Sequence, residues 1–120
     1  MSKQPFDKTQ GEPLARKKCV SCEGCVDAMH PEQSELLLKQ LDPEWMLIDQ
    51  CRMLARSFVF KDFKQALDFV NKIGKIAEAE GHHPDMTVGY GNVGVELTTH
   101  AIGGLSENDF ILAAKIDGIK

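Results

Sequence analysis

DFKQALDFVNKIGKIAEAEGHHPDMTVGYGNVGVELTT, residues 62–99, holds one helix and one hairpin, and its change of hydrophobic period decides the fold. In its first half Phe63, Ala66, Leu67, Val70, Ile73 and Ala77 recur at three- and four-residue intervals, which places them on one face of a helix over 62–80. Asp62 is positioned to cap that helix with Gln65 as its capping-box partner, and Gly81 stops it. From Met86 onward the reading is strand. Met86–Tyr90 and Val93–Thr99 pair as a hairpin around a tight Gly91-Asn92 turn. Val93, Val95 and Leu97 share one face of the second strand, and Gly94, Glu96 and Thr98 share the other. By that parity His100 falls on the polar side.

Working outward, Gly103-Gly104 breaks the chain before a last helix that runs to about Asp117. Ser106 caps it, Asp109 completes the capping box, and Phe110, Ile111, Ala113 and Ala114 supply its core contacts. Upstream, Trp45–Ile48 and Arg52–Phe60 read as two strands joined by a turn near Asp49-Gln50, with Cys51 expected in strand as a small buried hydrophobe. Pro31–Leu41 reads as a short helix with Pro31 at its first position, a Leu37, Leu38, Leu41 stripe, and a stop at Asp42-Pro43. The order α-β-β-α-β-β-α predicts an α+β fold, a four-stranded antiparallel sheet with three helices packed on one face. The other face must be polar or covered by a partner subunit.

The 120 residues suit one domain, and 42% hydrophobic with 27% charged residues is an ordinary globular balance. We divide the chain into an N-terminal tail, 1–30, and a folded domain, 31–120. A net charge of −4 offers no general attraction to nucleic acid or anionic membrane. No apolar run approaches the roughly 20 residues that cross a bilayer, and the first residues lack a signal-peptide core. The expected location is cytoplasmic, with reduced cysteines.

Cys19, Cys22 and Cys25 form a C-x-x-C-x-x-C run followed by His30. Thiolates at that spacing are able to share one zinc ion with His30 as fourth ligand. The run also resembles the start of an iron–sulfur pattern, but Met29 stands where a fourth cysteine belongs. The bland reading is a reduced, exposed thiol segment.

His82, His83 and His100 admit three readings. As zinc ligands they lack an H-x-H or H-x-x-x-H pair, and Pro84 biases His83 to extended backbone, where neighbours point apart. As structural groups they satisfy hydrogen bonds near a helix end. As proton carriers they have the side chain whose ordinary pKa lies nearest neutrality, and Glu78 stands four residues before His82.

E-x-x-x-H-H-P at Glu78–Pro84, with Tyr90, His100 and Asp109, resembles the signature of the pterin-4a-carbinolamine dehydratases. The flanking TTHAIGGLSEND is similar to that family too, and weaker resemblance covers the Trp45 region and FVFKDFKQAL, so most of 36–117 is spanned. The resemblance implies a four-stranded antiparallel sheet with three helices on one side, assembled as a homodimer or a tetramer. It implies dehydration of 4a-hydroxytetrahydropterin to quinonoid dihydropterin, recycling the pterin of an aromatic amino-acid hydroxylase pathway. No redox step occurs, so no cofactor is expected. Carried over by position, His82 and His100 are the acid–base residues, and His83 is a catalytic and substrate-binding residue that orients the pterin. Glu78, Thr98, Thr99 and Asp109 are expected around the substrate, with helix capping the simpler role for Asp109 and a surface charge the simpler role for Glu78. Two other functions stay open: a non-catalytic protein-binding or dimerisation module, as some animal members serve a homeodomain transcription factor, and a related enzyme of molybdopterin metabolism.

Overall fold

The computed structural model describes residues 13–20 and 27–119. Helix α1 (Pro31–Leu38) is followed by strands β1 (Met46–Ile48) and β2 (Met53–Val59), helix α2 (Phe63–Glu80), strands β3 (Asp85–Val88) and β4 (Asn92–Leu97), and helix α3 (Glu107–Asp117). The strands form one antiparallel sheet in the spatial order β1-β2-β4-β3. This is the α+β architecture and element order that the alternating periods predict.

Register decides which residues meet the helices. Leu54 opposes Leu97, Arg56 opposes Val95 and Phe58 opposes Val93, so this set lines the covered face. Leu54, Val93, Val95 and Leu97 are essentially inaccessible and share a core with Ile73, Phe110, Leu112 and Ile116. The other face is mixed. Ser57, Thr87 and Glu96 lie there with Met46 and Val59, the last 85% exposed.

Helix α2 buries Ala66, Phe69, Ile73 and Ala77, whereas Phe63 and Leu67 are 46% and 42% exposed. The expected stripe is therefore rotated. Ala66 and Ile73 belong to both candidate faces, and aromatic packing chooses between them: the Phe69 ring lies 4.6 Å from Phe58 and 5.0 Å from Phe60, centroid to centroid. At the entry, Asp62 Oδ1 accepts from Gln65 N at 2.8 Å, and Gln65 Oε1 accepts from Lys61 N rather than from Asp62.

Four local readings change. Cys51 lies in the β1–β2 turn, not in a strand, because Asp49, Gln50 and Cys51 have φ of 54°, 57° and 64°. Left-handed backbone costs a residue with a side chain about 1 kcal/mol or more, and the Arg52–Asp49 ion pair at 3.0 Å helps hold it. In the second hairpin Asn92 already pairs in β4, and the turn closes from Gly89 N to Asn92 O at 2.8 Å. Helix α1 stops at Leu38, and Leu41 reaches the core through the turns that follow. Within the N-terminal segment, Leu14–Arg16 forms a 3-10 turn against α3, with Leu14 only 4% exposed.

At the far end of α3, Asp117 accepts from Trp45 Nε1 at 2.7 Å, Arg56 Nη1 at 2.8 Å and Asp42 N at 3.0 Å. Three donors on one carboxylate join the β1 entry, β2 and α3 where the sheet would otherwise be loose.

Candidate active site

The site begins where α2 ends. Gly81 takes a left-handed φ of 69°, and Ala77 O accepts from both Gly81 N and His82 N, at 2.9 and 3.3 Å. Glycine adopts that conformation without a Cβ penalty, so the chain turns sharply and His82 leaves the helix pointing inward. The side chain of His82 is 13% exposed and that of His83 is 57% exposed. The two neighbours therefore have different surroundings and different partners.

His82 Nε2 lies 2.6 Å from Asp109 Oδ1. Asp109 is fully buried. Its other oxygen, Oδ2, accepts from the Thr99 hydroxyl at 2.8 Å and from Ser106 N at 3.0 Å. Thr99 spends its proton on Asp109, so the Ser106 hydroxyl, 2.8 Å away, donates to Thr99. A carboxylate closed off from water needs such donors in place of the hydration it has lost. Asp109 therefore makes two kinds of bond: one oxygen completes the capping box with Ser106, and the other meets the ring of His82. An acceptor at Nε2 makes that nitrogen the N–H of neutral His82 and leaves the lone pair on Nδ1.

Thr99 is also the residue before His100. Its backbone pairs with Gly104, N to O at 2.8 Å, and His100 opens the 3-10 turn His100–Ile102, which closes at Gly103 with φ 70°. His100 itself is exposed. Asp109 thus ties His82 on one side to the root of His100 on the other. The Thr98 hydroxyl is turned elsewhere, donating to Arg52 O at 2.7 Å, so it braces the β1–β2 turn.

Glu78 pairs with His83, not with His82: Oε2 is 2.6 Å from His83 Nε2. Both side chains stand in solvent, where such a pair contributes about 0–1 kcal/mol. Tyr90, at the hairpin turn, is 73% exposed.

Of the cysteine run, Cys22 and Cys25 fall outside the described residues, so the four-ligand arrangement is not visible. His30 is exposed at the start of α1, where its N–H donates to Gln33 Oε1. Cys19 is half-buried against α3, and its thiol is pushed up to about 12, first by burial, then by the charges of Glu80 and Asp109. Among the described residues, no three His, Cys, Asp or Glu side chains are grouped to hold a metal ion, and no helix is long and apolar enough to cross a membrane.

A family profile described as pterin 4 alpha carbinolamine dehydratase matches residues 27–119. The chain belongs to the pterin 4 alpha carbinolamine dehydratase family. A Nitrosomonas eutropha protein provisionally named a pterin-4-alpha-carbinolamine dehydratase is 53% identical over 87% of this chain and 90% of its own length. A Halorhodospira halophila protein of the same provisional name is 51% identical over 88% of this chain and 96% of its own. A crystal structure of a transcriptional coactivator/pterin dehydratase from Brucella melitensis superposes with a TM-score of 0.70 and 33% identity, covering 75% of this chain and 95% of that one. Every residue of the His82–Asp109–Thr99 hydrogen-bond network lies in the matched span. Lys17–Val20 lies before it.

The sequence reading missed the second oxygen of Asp109 and its bond to Thr99. The capping-box spacing pointed to Asp109, and the parity of Val93, Val95 and Leu97 puts Thr99 on the buried side, but nothing local shows that its hydroxyl meets that carboxylate.

Proposed function

We propose that this chain dehydrates a 4a-hydroxytetrahydropterin to the quinonoid dihydropterin, with His82 and His100 as its proton carriers. The reading rests on the 2.6 Å contact between His82 and the buried Asp109. In the reaction the C4a hydroxyl takes up a proton and leaves as water, while N5 gives up its proton as the C4a=N5 bond forms. No electrons are exchanged. His82 suits the step at N5: its Nδ1 lone pair accepts the proton, and Asp109 stabilises the imidazolium that results, as the carboxylate does in a Ser-His-Asp arrangement. His100 then donates to the departing hydroxyl. His83, held by Glu78, orients the pterin ring from the exposed side. Asp109 and Thr99 act through His82 and the His100 turn, since their polar groups are committed to internal bonds. Family membership supports the same reading, and recycling of a hydroxylase's pterin in the cytoplasm is its natural setting.

Stopped-flow decay of 4a-hydroxytetrahydrobiopterin tests it. Wild type accelerates the decay, and His82→Ala or His100→Ala each lowers kcat by roughly 10²-fold, the low end for a positioned acid or base. Wild-type decay at the uncatalysed rate refutes it.

A second reading draws on the exposed Phe63 and Leu67 of α2. Apolar side chains one helical turn apart lie side by side, and against a partner's apolar surface they would serve self-association or protein binding. Homo-oligomerisation through it is compatible with catalysis; a purely binding role is what an inactive wild type would favour.

A further inference from the structure

The segment Lys17–Val20 lies along the junction where α2 ends and α3 begins. Cys19 N donates to Glu80 Oε1 at 2.8 Å. Val20 N donates to Asn108 Oδ1 at 3.0 Å, and Asn108 Nδ2 donates back to Val20 O at 2.5 Å, so the amide pairs with the strap as a strand would. Around these clasps, Lys17 pairs with Glu107 at 2.7 Å, and Lys115 reaches both Ala15 O at 2.8 Å and Glu80 at 3.5 Å. Buried Leu14 anchors the strap from below.

Glu80 is the informative residue. It is the last residue of α2, and its side chain is only 8% exposed. A carboxylate at a helix C-terminus opposes the helix dipole, and burial adds to that cost. The group is kept ionised chiefly by the Cys19 N–H and also by Lys115, which hold its pKa below the usual glutamate value.

The two clasps sit beside the His82–Asp109 bond. Glu80 is two residues before His82, across Gly81, and Asn108 immediately precedes Asp109. The His82–Asp109 bond crosses the gap between the same two helix ends that the strap spans. We propose that Glu80 and Asn108 are positioning residues, which use the Lys17–Val20 strap to hold the ends of α2 and α3 in the register that brings His82 Nε2 onto Asp109. The catalytic consequence rests on the dehydratase reading; the geometric one does not.

Two readouts separate them. The first is the ring ¹⁵N signature of His82 at a pH where it is neutral. Wild type shows the Nε2–H tautomer, while Glu80→Ala and Asn108→Ala show a shift toward Nδ1–H as the bond to Asp109 loosens. The second is dehydration kinetics: each variant lowers kcat by roughly 10-fold, less than the ~10²-fold that a full 1 Å misplacement costs, with KM changed by less than about 2-fold. Glu80→Gln keeps an oxygen for Cys19 N–H and returns both readouts close to wild type. Ile73→Val, a core truncation away from the strap, lowers the melting temperature but leaves the His82 tautomer unchanged. If Glu80→Ala does not fold, Asn108→Ala probes the same strap from α3. An unchanged His82 signature in the folded alanine variants overturns the inference, whatever the kinetics. A shifted signature in a protein that never accelerates dehydration upholds it and removes the dehydratase reading instead.

Discussion

Asp109→Asn exchanges one carboxylate oxygen for an amide and keeps the shape. The wild-type side chain accepts three hydrogen bonds: His82 Nε2–H on Oδ1, and Thr99 hydroxyl and Ser106 N on Oδ2. The amide has one oxygen. If it stays on the side of Thr99 and Ser106, the NH₂ faces His82, and two donors confront each other at the 2.6 Å position. His82 must then adopt the Nδ1–H tautomer, which removes the lone pair assigned to the substrate proton. If the amide flips, two donors crowd around its nitrogen instead. One charge-assisted bond, worth about 1.5–3 kcal/mol, is lost either way, and relief of a buried charge offsets part of it. We expect a net loss of about 2 kcal/mol, a fall in Tm of roughly 6–12 °C for a domain of this size. The kinetic effect should exceed the effect on stability. The wrong tautomer removes acid–base catalysis at one centre, so kcat for 4a-hydroxytetrahydrobiopterin decay should fall by about 10²-fold or more at temperatures where the variant is fully folded. Stopped-flow absorbance gives the rate, and ¹⁵N spectra of His82 give the tautomer. A folded variant with the Nδ1–H tautomer and kcat within about 3-fold of wild type would show that His82 is not the base.

Three further outcomes follow from other parts of the structure. Asp117→Ala leaves the buried indole N–H of Trp45 and the Asp42 N–H without their acceptor, and leaves the Arg56 guanidinium only Asp42 at 3.6 Å; calorimetry should read a loss of about 3 kcal/mol. Asp117 stands eight residues beyond Asp109 on a helix rising 1.5 Å per residue, about 12 Å away, so kcat of the folded variant should stay within about 2-fold of wild type. Glu80 contributes stability that is fully present above the ordinary glutamate pKa, about 4.3, and is lost as pH falls through its lower folded value. Cys19 N–H, Lys115 and Lys18 all favour its ionised form, so Glu80→Gln should be less stable than wild type at pH 7, with the gap closing below about pH 4 in urea titrations; a constant gap would contradict this. Cys19, half-buried with its thiol pushed up to about 12, should be alkylated by iodoacetamide at pH 8 at least about 10-fold more slowly in the native protein than in urea. Equal native and denatured rates, followed by mass spectrometry, would mean that the strap is not closed.

Much of this protein is legible along the chain because its elements are locally specified. Asp62, Gly81, Ser106 and Asp109 stand at helix ends for reasons of backbone hydrogen bonding that need no tertiary contact. The alternation Val93, Val95, Leu97 names the buried face of β4 for the same kind of reason. The histidine signature is likewise contained in a short span. Three features required the folded chain. The buried stripe of α2 was chosen by Phe69 meeting two rings of β2 and its exit, because periodicity alone allows two adjacent faces sharing Ala66 and Ile73. The partner of His82 was decided by the packing of two helix ends 27 residues apart, which gave it Asp109 and left Glu78 to His83. The strap across those ends joins residues 61 and 88 positions apart in sequence. Local propensity is a property of a few consecutive residues and can be read from them. A hydrogen bond between distant side chains depends on where the whole core places their backbones, and only the tertiary structure holds that.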